Sequence, residues 1–192
     1  MNIDRLIKQY INEKEPRERR LGRYWASELY SIITGKFKPE DFFEPQPTID
    51  LRGCSNIIRG MEKEETLKLM LEKEEMGFKH HIKKEIKHKG FVIVVECDFL
   101  FKDKLIECKS PYIADNIKEY HYPQLEAQYR AFKKPVYVLY VKDWNDRKEY
   151  KYAPSDKRWE EILNKVEEFH KELCQSLIKN GAEEGKKKLS IC

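Results

Sequence analysis

Asp98, Glu107 and Lys109 have the types and the spacing to handle a phosphate ester. If Lys102 and Asp103 form a turn, antiparallel pairing sets Asp98 opposite Glu107 and Glu96 opposite Lys109. Side chains alternate along a strand, so these four share one face, while Ile93, Val95, Cys97, Phe99, Ile106 and Cys108 point to the other. Two carboxylates across a strand pair repel unless a cation lies between them, and oxygen ligands suit Mg2+ or Mn2+. Such an ion polarises a phosphate and lowers the pKa of water, and the ammonium of Lys109 can orient that water and offset developing charge. The chemistry implied is metal-dependent attack on a phosphodiester. The bland alternative is a surface ladder of ion pairs.

The Glu-x-Lys string carries little by itself, because it recurs at Glu85, Glu149 and Glu184. The copy at Glu107 differs by following an apolar strand start, facing Asp98 and preceding a glutamine-bearing helix. The elements that must position it are readable from periodicity. Strands are expected over 81–87, 91–101, 104–110 and 136–141, the last apolar enough to be buried on both faces. Pro111 closes the third and Pro123 opens a helix through Phe132. A helix from about Asn56 to Met76 puts Ile57, Met61, Leu67 and Leu71 on one stripe together with Gly60 and Glu64. A carboxylate on that stripe needs a partner, which makes Glu64 the third candidate ligand. The last helix is expected over 156–180, capped by Ser155 and stopped by Gly181.

Around this core the spacing predicts three regions. Residues 1–55 form a basic helical and connector segment, with Arg17, Arg19, Arg20 and Arg23 followed by a helix through Trp25, Leu29 and Ile33 to Gly35, then Pro39, Pro45 and Pro47. Residues 56–180 form the core, and 181–192 a mobile basic tail with Lys186, Lys187 and Lys188. The formal net charge of +4 is small beside 38 basic and 34 acidic residues, so any basic surface is local, and Arg20 and Arg23 are the candidates for phosphate contact. No apolar stretch is long enough to span a bilayer, and an odd count of five cysteines argues against a secreted disulfide framework, which makes the cytoplasm the default location. The histidines show no metal-ligand spacing: His80 and His81 are adjacent, and in a strand they point to opposite faces. Cys97 and Cys108 are expected to face one another as buried thiols or, in a hot environment, a cross-strand disulfide.

Asp98 followed by a short hairpin and Glu107-Cys108-Lys109 resembles the PD-(D/E)xK nuclease superfamily, with Cys97 where the motif has proline. The helical Gly60-Met61-Glu62-Lys63-Glu64 and the later Gln124-Leu125-Glu126-Ala127-Gln128 are similar to motifs of the RecB-like, CRISPR-associated exonuclease branch, and Trp25-Ala26-Ser27 to its entry helix. In that branch the second motif ends in tyrosine; here Gln128 takes the place and Tyr129 follows. The resemblance implies a restriction-endonuclease-like α/β core with a central mixed β-sheet flanked by helices. It also implies Mg2+ or Mn2+ on Glu64, Asp98 and Glu107, catalytic Lys109 and Gln124, and substrate contacts from Gln128 and Tyr129. The partner implied is DNA, as single strands or duplex ends, cut by an exonuclease. The alternatives are a structure-selective endonuclease of junction-resolvase type and a non-catalytic nucleic-acid-binding subunit of a repair or CRISPR-type complex. A homo-oligomer is left open. Many relatives carry an iron–sulfur cluster on one early and three late cysteines; with only Cys174 and Cys192 late, none is expected here.

Overall fold

The computed structural model describes residues 2–12, 19–43, 49–110 and 114–189. Arg17, Pro45, Pro47 and Pro111 lie outside them. Within them a six-stranded mixed sheet is flanked by helices, the α/β architecture expected. Among them, no helix is long and apolar enough to cross a membrane.

The sheet is organised by a long hairpin. Strands β2 (Phe78–His88) and β3 (Phe91–Phe101) pair antiparallel from end to end. The two turn residues, Lys89 at φ 34° and Gly90 at φ 88°, both have the positive φ that twist-matched two-residue hairpins require. The other edge of β3 is divided. Strand β1 (Arg23–Trp25) runs parallel along Val92 to Val94, and β4 (Leu105–Lys109) runs antiparallel to Phe99 and Leu100. Between these two partners, Val95 to Asp98 pair with no strand on that edge among the described residues. β4 then leaves β3 to run parallel to β5 (Val136–Val141), which pairs antiparallel with β6 (Arg147–Lys151). Sequence reasoning misses β6, because Arg-Lys-Glu-Tyr-Lys shows no apolar alternation; its charges suit an edge strand.

Two apolar clusters fix which helix covers which face. The larger joins Tyr24, Ile93, Val95 and Cys97 of the sheet to Leu125 of helix α1 (Tyr122–Phe132) and to Ile162, Val166 and Phe169 of helix α2 (Asp156–Leu189). The smaller joins Phe99, Phe101, Ile106, Leu139 and Val141 to Leu67 and Leu71 of helix α3 (Leu51–Lys73). Each fully buried side chain of this size contributes roughly 1.5–3 kcal/mol, so the layer of α1 and α2 is held firmly against the sheet, whereas α3 packs through the partly buried Leu67 and Leu71. Helix α1 is tied to the start of α2 by the fully buried Glu126, which accepts from Arg130, Tyr152 Oη at 2.6 Å and the Ser155 amide at 3.1 Å.

Several boundaries differ from expectation for local reasons. Trp25 lies in β1, and the short helix Leu29–Ile33 begins after a 3-10 turn at Ala26–Glu28. Helix α3 starts early, at Leu51, because Asp50 caps it by accepting from the Gly53 amide at 2.7 Å. Ser155 does cap α2, through the Arg158 amide. Gly181 does not stop that helix, which runs on to Leu189; an interior glycine costs a helix about 1 kcal/mol but does not force an end. A separate helix, Ile3–Asn12, packs on α3.

Candidate active site

The unpaired stretch of β3 and the departing end of β4 leave backbone groups that the ladder no longer satisfies, and the polar side chains of the site take them. The Cys108 amide donates to Asp98 Oδ2 at 2.7 Å. Gln128 Nε2 donates to the Glu96 carbonyl at 2.9 Å and to Glu107 Oε2 at 2.6 Å. The hairpin register is the expected one, with Phe99 opposite Ile106 and Leu100 opposite Leu105. The ladder stops one pair short of Asp98 and Glu107, so these carboxylates meet across a fork. Alternation also breaks there: Cys97 packs in the cluster under α1 and α2, and Cys108 against the cluster under α3. The two thiols are therefore free and do not face each other, correcting that expectation. Burial pushes the Cys97 thiol up to about 12.

Glu107 is almost fully buried, and its other oxygen accepts from Lys109 Nζ and Gln124 Nε2, both at 2.6 Å. Lys109 also donates to Gln124 Oε1 at 3.2 Å. Burial pulls the Lys109 ammonium down, but Glu107 and Asp98 outweigh it and hold the group above the ordinary lysine value, so it remains a cation. Asp98 goes the other way. Burial, then the negative charges of Glu107 and Glu64, raise its carboxyl well above the ordinary range against the opposing pull of Lys109 and the Cys108 amide. His121, beside this group, is pushed down to about 3 by burial and by Lys109.

Glu64 arrives from α3, on the opposite layer to Gln124 and Gln128. It meets His80 Nε2 at 2.8 Å and His81 Nε2 at 2.9 Å, and His81 Nδ1 lies 3.0 Å from Glu96 Oε1. The expectation that the adjacent histidines point apart fails because His81 has φ 52°, outside the extended conformation on which alternation depends. Glu64, Glu96, Asp98, Glu107, Lys109 and Gln124 line one cleft of about 290 Å³, walled by Trp25 and Ser27.

Other expected site residues lie elsewhere. Gln128 is fully buried and donates to Glu107, leaving no exposed surface for the substrate contact expected of it. Tyr129 packs against the larger core cluster beside the Arg130 guanidinium. Arg23 pairs with Glu85 at 2.6 Å and sits opposite Val92, six strand residues from Asp98 or about 20 Å along β3. Arg20 is bridged to Arg23, so neither arginine borders the cleft. Sequence reasoning missed His80, His81 and His121, for which pairwise spacing gave no signal.

The cleft fits a hard divalent cation by the chemistry of its donors. Three carboxylates, Glu64, Asp98 and Glu107, line it together with Lys109, an oxygen donor set of the kind such an ion takes, and burial followed by the charges of Glu107 and Glu64 raises the Asp98 carboxyl.

No family model matches the chain, and no curated protein does. Solved structures share its fold. The alkaline exonuclease LHK-Exo from Laribacter hongkongensis, in complex with dAMP, is 16% identical with a TM-score of 0.64, covering 86% of this chain and 95% of that one. A phage-related exonuclease from Haemophilus somnus 129PT is 13% identical with a TM-score of 0.59, covering 82% and 96%. The protein SSO0001 is 17% identical with a TM-score of 0.63, covering 88% and 85%.

Proposed function

We propose that this chain is a divalent-metal-dependent nuclease that hydrolyses DNA phosphodiester bonds, working as an exonuclease on duplex ends or single strands. The observation that carries the reading is the convergence of Glu64, Asp98, Glu107 and Lys109 at the fork between β3 and β4, in a fold shared with two exonucleases. The nucleotide in the LHK-Exo complex supports a nucleic-acid substrate. Glu64, Asp98 and Glu107 would hold Mg2+ or Mn2+, which supplies Lewis acidity toward the phosphate and lowers the pKa of water.

Lys109 stays cationic, so it acts as an electrostatic group, positioned to offset charge gathering on the phosphoryl oxygens and to orient the attacking water. Gln124 bonds both Glu107 and Lys109 and fixes their separation. The deciding experiment measures release of labelled nucleotides from linear DNA with Mg2+ or Mn2+. Lys109→Ala is expected to lower the rate by about 10²–10³-fold. Equal rates in parent and variant sink the mechanism, and nicking of closed circular DNA replaces the exonuclease reading with an endonuclease one.

A further inference from the structure

One oxygen of Glu64 meets two imidazoles. The Glu64 carboxylate and the two ring nitrogens, His80 Nε2 and His81 Nε2, all fall within 4.8 Å of one another. Consecutive residues of a regular strand cannot present their rings to one point. Here the positive φ of His81 turns its ring back, leaving the two ring centroids 4.0 Å apart. A non-glycine residue in that conformation is strained, and such strain concentrates at functional sites.

The outer side of His81 is also engaged, with Nδ1 at 3.0 Å from a Glu96 oxygen. A neutral imidazole has a single N–H, yet both nitrogens of His81 face carboxylate oxygens. If Nδ1–H donates to Glu96, the Nε2 lone pair and the Glu64 oxygen, 2.9 Å apart, can both turn toward one cation lying off the line that joins them, as neighbouring ligands of a metal do. A carboxylate on the far nitrogen is the usual orienting partner of a metal-bound histidine. His80 is steadied separately, its ring lying 4.9 Å from that of Phe99.

We infer that Glu64, His80 and His81 form a second cation site, selective for a borderline ion of the Zn2+ class, that shares Glu64 with the Asp98–Glu107 cluster. Two imidazoles and one carboxylate with an open position make a zinc-type donor set, whereas the oxygen-only cluster beside it suits Mg2+ or Mn2+. Sharing Glu64 couples the two: an ion on the histidines draws on a carboxylate the neighbouring site also uses. The donor set stands on its own geometry; only this coupling rests on the nuclease reading.

The test uses the full chain stripped of metal and titrated with Co2+, a visible-absorbing stand-in for Zn2+. The parent is expected to bind Co2+ with an intense visible band that Zn2+ displaces. His80→Asn and His81→Asn should each weaken that binding about tenfold or more, while Asp98→Asn keeps it. Asparagine tolerates the positive φ at 81, so His81→Asn is expected to fold, as its melting curve will show. X-ray absorption of the Zn2+-loaded parent should report two imidazole ligands without relying on any variant. An absent band, binding unaffected by either histidine substitution, or a zinc shell without imidazole overturns the site. Hydrolysis in Mg2+ is measured in parallel. No cobalt band in the parent, with its hydrolysis intact, refutes the second site alone, and a cobalt band in the parent without hydrolysis refutes the nuclease reading alone.

Discussion

Asp98 is partly buried, faces the negative charges of Glu107 and Glu64, and binds its proton more tightly folded than unfolded. A raised carboxyl contributes stability that is fully present below its unfolded value and is lost as pH rises through the higher folded value, so above the ordinary carboxylate range the group costs the fold stability. Asp98→Asn, which keeps an acceptor for the Cys108 amide, is expected to raise the melting temperature of the metal-free protein by about 2–4 °C, the equivalent of ~1 kcal/mol in a chain of this size, while abolishing hydrolysis. Calorimetry in chelator tests it; a lower melting temperature contradicts the assignment. Because a ligand must be deprotonated to bind, apparent metal affinity should climb with pH above the ordinary carboxylate range until Asp98 is ionised. His121 gives a complementary readout. Pushed down to about 3 by burial and Lys109, it stays neutral through the range in which an unperturbed imidazole changes charge, and its ring proton shifts should be flat between about pH 5 and 8.

Among the elements, the fork matters more than any single strand. The β3–β4 hairpin was legible because its two-residue turn and local alternation set the register, and the charged strand residues of the cleft, Glu96, Asp98, Glu107 and Lys109, followed from it. The fork was not legible, since the parallel pairing of β1 with Val92–Val94 is a long-range contact with no local pattern, and it is this pairing and the exit of β4 that open the edge between them. Nor was the backbone of His81, whose positive φ is imposed by its surroundings and not by its type. Gln128 shows what the open edge requires: it spans the Glu96 carbonyl and Glu107, while its Oε1 is buried without a hydrogen-bond partner. Gln128→Leu should lower kcat about 10–100-fold and change KM less, because it frees Glu107 without touching substrate; an equal fall in both contradicts a positioning role. Glu126 secures α1, and with it Gln124 and Gln128, to the start of α2. Glu126→Ala leaves the Tyr152 hydroxyl and the Ser155 amide without their acceptor and should cost about 3 kcal/mol, read from urea unfolding.

For the molecule as a whole, the site is where the sheet's two helix layers meet chemically. Glu64 comes from the α3 layer, Gln124 from the α1 layer, and Asp98, Glu107 and Lys109 from the strands between, so an ion held there ties both layers to the sheet. An ion that binds the folded state and not the unfolded chain stabilises by mass action, about 2.7 kcal/mol at a hundredfold excess over Kd. In a chain of this length that is a rise in Tm of roughly 5–10 °C on adding Mn2+ to the metal-free protein. The rise should shrink sharply in Asp98→Asn, whose own melting temperature without metal exceeds that of the parent. The two curves must then cross: the variant melts higher in chelator and the parent higher in Mn2+. Parallel curves, with metal shifting both proteins equally, would place the ion away from Asp98 and remove the carboxylate cluster as its binding site.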